Sequence, residues 1–149
     1  RDVFDNAIPC GGSSAAHVLL RLSTHTGQQS YRTTAEPSIA SVREYMEKSG
    51  AGVGGWLSAL DYYVDTPKEI VVIGDRDKPA TQALINEVNR LYLPNRVIAG
   101  ANAPTDPAPS PLLENRTLIN HSPTAYVCEN YACQLPVTTP ADLNAQLKK

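Results

Sequence analysis

The sequence predicts a mixed α/β chain in which helices come first and a small sheet follows. Apolar residues recur at helical spacing through roughly the first 65 positions, and from Lys68 onward the period shortens to that of a strand. Two β-branched runs, Glu69 to Gly74 and Arg96 to Gly100, flank a stretch with helical periodicity. That order argues for a βαβ unit with parallel strands, since a crossover between such strands packs back on the sheet in a right-handed sense. The change of period sets two domains, 1–66 and 67–149.

The elements follow in order. Gly12-Ser13-Ser14 opens a first helix carrying Ala15, Val18, Leu19 and Leu22 at helical spacing, and Gly27 stops it. A second helix places Ala35, Ile39, Val42 and Met46 on one face and ends near Ser49-Gly50, with Pro37 kinking it or marking its first turn. A third uses Val53, Trp56, Leu57, Leu60 and Val64 as its core stripe and ends before Pro67. Beyond the first strand, Lys78-Pro79 starts a helix with Leu84, Ile85, Val88, Leu91 and Tyr92 on one face, closed by Pro94. Pro104, Pro107, Pro109 and Pro111 make residues 101–111 an extended surface loop. Thr124 to Cys128 reads as a third strand in a mainly parallel sheet. Thr139 caps a last short helix whose first residue is Pro140.

Composition bounds the function. The 149 residues suffice for a real core, and 42% hydrophobic with 19% charged residues is an ordinary globular balance. A net charge of −2 gives no basic face for nucleic acid, whose phosphates demand one. No apolar run approaches the roughly 20 residues of a membrane helix. Arg1-Asp2-Val3-Phe4 has no initiator Met and no leader pattern, so the start reads as an internal cut in a longer protein. Three cysteines without a dense framework favour a reducing, cytoplasmic setting.

Three constellations carry the chemistry. Cys128 and Cys133 form a C-x4-C unit, read first as a structural disulfide or buried thiol pair closing a turn. A redox pair comes second and a metal half-site last, because only His121 lies near as a further ligand. No metal and no cofactor is expected. Around Asp5, the Gly11-Gly12-Ser13 turn opens a helix whose amides could hold an anion or a sugar hydroxyl, beside the plainer reading of a loop-to-helix junction. Gly74-Asp75 follows a strand, but the dinucleotide fingerprint is absent there. His17 and His25 fall on the first helix, where the helix dipole suits a His25 near its end.

The segments Asp5, Pro9 to Ser13, Leu57 to Asp61, Val71 to Gly74 and Thr124 to Thr138 together resemble the YyaL-like, spermatogenesis-associated thioredoxin-domain proteins. The likeness covers nearly the whole chain and is most specific in Thr-Ala-Tyr-Val-Cys…Cys…Pro-Val-Thr. The sequence departs at Cys10, where the family usually has Ser, and at Gly12, where it usually has Asn. The resemblance implies that residues 1–66 are closing hairpins of an (α/α)6 toroid like that of six-hairpin glycosidases, with the βαβ piece as an appendix. It implies partners in the same protein, namely an upstream thioredoxin-like domain and the rest of the toroid. Asp5 and Asp61 are the carboxylates it brings near motif residues, and they are the candidates for glycoside chemistry, which needs two such groups. The functions implied are a toroid segment holding a carbohydrate-like ligand, a redox module served by Cys128 and Cys133, or a purely structural piece. Whether the chain takes part in an enzyme, and in which oligomeric state, stays open at this level. A toroid fragment is also expected to expose apolar helix surface that its neighbours would cover.

Overall fold

A computed structural model describes residues 3–104 and 106–148. The chain divides into two compact units, Arg1–Thr66 and Pro67–Lys149. The mixed α/β class holds, with helices in both units and a sheet in the second.

The first unit contains α1 (Gly11–Thr26), α2 (Gln29–Ser41), α3 (Arg43–Lys48) and α4 (Gly54–Val64). Gly27 ends α1 in the left-handed region at φ 70°, its N–H bonding to the Ser23 carbonyl. Pro37 lies inside α2 and withholds the hydrogen bond that the Thr33 carbonyl would receive. The helix nevertheless runs on to Ser41 and breaks at Val42, whose N–H turns back to Ile39 and Ala40. The single second helix read from the sequence is therefore two, α2 and α3.

Burial corrects two of the stripes. On α1 the buried residues are Ser13, Ala16 and Leu20, while Val18 and Leu22 are 55% and 37% exposed. On α4 they are Trp56, Ala59 and Tyr62, with Val53 just ahead, whereas Leu57 and Val64 are 37% and 70% exposed. Leu60 is only half-buried. Both helices are apolar around more than one face, so spacing alone does not choose which face the unit fills. The small residues Ala16 and Ala59 let the helices approach closely, and those faces turn inward.

The second unit holds β1 (Lys68–Ile73), α5 (Pro79–Arg90), β2 (Arg96–Ala101), β3 (Thr124–Glu129), β4 (Ala132–Cys133) and α6 (Pro140–Leu147). Strand order is β2-β1-β3-β4. β1 and β2 pair in parallel with Ile70 opposite Ile98, as the βαβ reading requires. β3 instead runs antiparallel to β1, with Ile70 opposite Val127, and β4 antiparallel to β3. The sheet is thus mixed, not mainly parallel: the chain reaches β3 through the 102–123 segment, whose described residues hold the short turn Pro111–Leu113 and no α-helix to carry a parallel crossover.

One sheet face packs Ile70, Val72, Ala125 and Val127 against Leu84 and Val88 of α5 and Leu143 and Leu147 of α6. The alternate residues Val71 and Ile73 are also buried, and the turn Pro111–Leu113 packs on β1 and β2. Burial on both faces explains why β1 reads as a continuous apolar run. Leu112 and Leu113 are core residues at the end of the proline-rich loop. α5 ends at Arg90, before Leu91, and Tyr92 is 90% exposed, so those two residues leave the helical face assigned to them. Thr139 caps α6 as expected, its Oγ1 accepting from the Asp142 N–H, with Pro140 in the first turn.

Candidate functional site

The residues singled out at the chain start converge on one knot in the first unit. Asp5 Oδ1 accepts from the Cys10 N–H at 2.7 Å and from Ser13 Oγ at 3.0 Å, and Oδ2 accepts from the Gly55 N–H at 2.7 Å. One carboxylate therefore ties the chain before α1 to the first turn of α4. A Cβ at Gly55 would lie 2.6 Å from Ser13 Oγ and 3.1 Å from both Asp5 oxygens, so only glycine leaves room. Burial works to raise the Asp5 pKa, but the hydrogen bonds from Cys10, Gly55 and Ser13 outweigh it and hold the carboxyl below its ordinary value.

Cys10, the departure from the family pattern, is the N-cap of α1: its Sγ accepts from the Ser13 N–H at 3.4 Å. Gly11 and Gly12 are exposed, while Ser13 is buried and committed to Asp5 and the Cys10 carbonyl. A Cβ at Gly12 would meet the Trp56 ring at 2.7 Å. The indole is held by its Nε1 donating to the Val3 carbonyl at 3.0 Å. This turn is thus packed on the tryptophan, with Ser13 turned inward.

Asp61 is exposed near the end of α4. It stands six residues beyond Gly55, roughly 9 Å further along the helix and about two-thirds of a turn around it. Asp5 already serves three donors.

Between α1 and α4 runs an open groove of about 420 Å³ bordered by Ser14, His17, Val18, Arg21 and Ser58. Arg21 Nε donates to His17 Nε2 at 3.3 Å, one helical turn apart. Burial, and then the Arg21 charge, holds the His17 pKa below its usual value, which favours a neutral ring. The Tyr62 ring lies beneath both, 5.7 Å from the His17 ring and 5.3 Å from the Arg21 guanidinium carbon. Tyr62 Oη donates to Thr24 Oγ1 at 3.0 Å. Burial, and then the Arg21 charge, likewise lower the His25 pKa. The i, i+4 spacing of His17 and Arg21 was visible in the sequence; their union over Tyr62 was not.

In the second unit Cys128 and Cys133 are disulfide-bonded, facing each other across β3 and β4. Cys128 is buried and Cys133 only half-buried. Arg116 Nη2 lies 3.8 Å from Cys128 Sγ. Asn130 and Tyr131 turn the hairpin with positive φ of 50° and 62°. The Tyr131 N–H donates to buried Glu69 at 2.9 Å. Burial raises the Glu69 pKa, partly countered by that N–H and by the Arg116 charge. Among the described residues no group of three or more His, Cys, Asp or Glu side chains is placed to hold a metal ion.

No family model and no solved structure matches the chain. The chain is similar to spermatogenesis-associated protein 20 from three mammals. It is 34% identical to the Homo sapiens protein, 32% to that of Rattus norvegicus and 30% to that of Mus musculus. Each match covers 99% of the chain, which spans 19% of the length of these curated relatives. The family resemblance read from the motifs is borne out by these matches.

Proposed function

We propose that this chain, a relative of about a fifth of spermatogenesis-associated protein 20, supplies closing helices and an α/β appendix to a helical toroid. The observation that carries the reading is the apolar surface of the first unit. Val18, Leu22, Leu57 and Val64 lie on stripes that the sequence marks as core, and they are exposed. Ile39, Met46, Leu57 and Leu60 also border an open apolar groove. Burying a side chain of this size is worth roughly 1.5 to 3 kcal/mol, which favours further helices of the same protein as cover. The α1–α4 groove then forms part of the wall that meets a carbohydrate-like ligand. Its Ser14 and Ser58 hydroxyls, neutral His17 and Arg21 suit sugar hydroxyls, which need donors and acceptors in close array. Asp5 acts in this account as a positioning group for α1 and α4, and any acid or base for catalysis comes from elsewhere in the protein.

The substitution Leu57→Asp tests the reading. In the 149-residue chain its cost is limited to the part of Leu57 that this unit buries, since the side chain is 37% exposed. In the longer protein it is expected to lower thermal stability clearly and to loosen these helices. Equal, small effects in both settings contradict the toroid assignment.

A second reading rests on the hairpin disulfide. A thiolate of a dithiol partner, such as a thioredoxin-like domain, attacks the more accessible Cys133 Sγ. The Cys128–Cys133 bond breaks and Cys128 leaves as thiolate beside the Arg116 guanidinium. The partner's second thiol, deprotonated, then attacks the mixed disulfide and releases Cys133. The partner ends oxidised and the hairpin reduced. A cytoplasmic setting, our expectation from cysteine usage, suits a bond that forms and breaks in turn. Mass spectrometry of the trapped mixed disulfide after mutation of the partner's second cysteine tests this; capture at Cys133 supports it, and no capture at either cysteine contradicts it.

A further inference from the structure

The second unit contains a cavity that neither reading uses. It lies between α5 and the β1–β2 pair, with a volume of about 400 Å³, and reaches Gly74, Ala101 and Asn102 at the carboxyl ends of the two parallel strands. Ligands of open α/β sheets bind in that position, outside the strand ends and at a helix N-terminus. Here the helix is α5, twelve residues long, whose N-cap Lys78 offers no side-chain hydrogen bond. Its first amides carry the positive end of the helix dipole.

A second observation points to an occupant. Thr81, in the first turn of α5, is 1% exposed and lines the cavity, yet its hydroxyl has no hydrogen-bond partner. Leaving such a group unmatched costs about 1 to 3 kcal/mol. A valine of the same shape would avoid that cost. Gly74 also lines the cavity, and a Cβ there would come within 2.8 Å of Thr81 Oγ1 and 2.9 Å of Pro123. The hydroxyl therefore sits close against the backbone of position 74, which has no side chain.

The turn between β1 and α5 is built to hold this end in place. The Gly74 N–H bonds to the Ala101 carbonyl at 2.9 Å, and the Arg76 N–H to Asn102 Oδ1 at 3.3 Å. Gln82 Nε2 donates to the Arg76 carbonyl at 2.7 Å. Arg76 of this turn and Asn102, just after β2, line the cavity, whereas Asp75 and Asp77 do not. Away from that end the lining is Val72, Ile85, Val88 and Ile98, with one polar residue, Asn89, whose Oδ1 accepts from Arg96 Nη2 at 3.3 Å. The two ends differ in chemistry: Thr81, Arg76 and Asn102 at one, mainly aliphatic side chains at the other.

We propose that this cavity binds a small organic anion, an apolar body of a few carbons ending in a carboxylate or phosphate monoester. The head sits by Thr81, Gly74 and Arg76, and the body runs along Ile85 and Ile98. A nucleotide is disfavoured, because the glycine-rich phosphate turn is replaced by Gly74-Asp75-Arg76-Asp77.

The test is an amide-resolved NMR titration of the 149-residue chain with hexanoate, hexyl phosphate and the uncharged hexanol. Saturable shifts at Gly74, Thr81 and Gly100 are expected with at least one of the anions. Whichever anion binds more tightly identifies the head group. Hexanol is expected to bind about tenfold more weakly, the ratio expected for losing a charge-assisted hydrogen bond. Thr81→Val is expected to weaken the preferred anion several-fold while keeping the free protein's fold and leaving its stability equal or raised, and Arg76→Ala to weaken anion over hexanol selectively. The proposal is overturned by equal affinity for hexanol and both anions, by Thr81→Val binding as the parent does, or by no shifts at millimolar anion.

Discussion

Replacing Asp5 by alanine removes one side chain from the surface of two helix starts, and the structure sets the cost. The Cys10 and Gly55 N–H groups, each 2.7 Å from the carboxylate, lose their acceptor, and Ser13 Oγ loses one of its two, keeping the Cys10 carbonyl at 3.0 Å. A hydrogen bond to a charged group contributes about 1.5 to 3 kcal/mol, and loss of a helix-start acceptor about 0.5 to 2. Because the carboxylate is partly open to water, the combined loss is put at roughly 2 to 4 kcal/mol rather than the full sum. That is a large fraction of the stability of a unit this small. The single tryptophan, Trp56, is buried in the same unit and reports its unfolding by fluorescence in urea. The Asp5 carboxyl has a folded-state pKa below its unfolded value, so its contribution is present above the ordinary aspartate range. It is lost as pH falls through the depressed value. The parent and Asp5→Ala urea midpoints are therefore expected to differ at neutral pH and to converge in acid. A loss under about 0.5 kcal/mol, or a difference independent of pH, refutes the role assigned to this carboxylate.

Other expectations follow from the same geometry. Leu60→Ala is expected to cost less than the roughly 2 to 5 kcal/mol of a fully buried leucine, since Leu60 is half-buried here; a larger loss in urea unfolding means that it is core. Replacing Cys128 and Cys133 together by serine is expected to destabilise the second unit by roughly 2 kcal/mol, the chain-entropy value for so short a loop, measured by amide exchange in β1 and β3. Glu69 has a raised pKa, so its contribution is fully present below the ordinary glutamate range and is lost as pH rises through the folded value. Glu69→Gln is expected to flatten that decline in the melting temperature of the second unit, and an unchanged pH profile counts against burial as the cause.

What the sequence disclosed was local. Gly27, Thr139 and Pro140 act within a turn of their own helix, and each performs the role its chemistry dictates. The β1 run was legible because both its faces are buried, so no alternation confuses it. Contacts between distant segments were hidden. Nothing near Asp5 announces Gly55, fifty residues on, and nothing near Tyr131 announces Glu69. The antiparallel placement of β3 depends on the path of the 102–123 segment, which periodicity does not encode. The misassigned faces of α1 and α4 have a different origin. Val18, Leu22, Leu57 and Val64 have the spacing of core residues, and the described residues of the first unit leave them 37% to 70% exposed. At the groove, Arg21 and His17 share a helix face that the i, i+4 rule exposes, but Tyr62 beneath them comes from another helix.

The central claim is that these helix faces belong to the interior of a larger helical body. Hydroxyl-radical footprinting of Val18, Leu22, Leu57 and Val64 tests it most directly, comparing the 149-residue chain with a full-length protein that contains it. The account predicts oxidation of all four side chains in the chain alone and marked protection of all four in the full-length protein. Equal oxidation in both would contradict it.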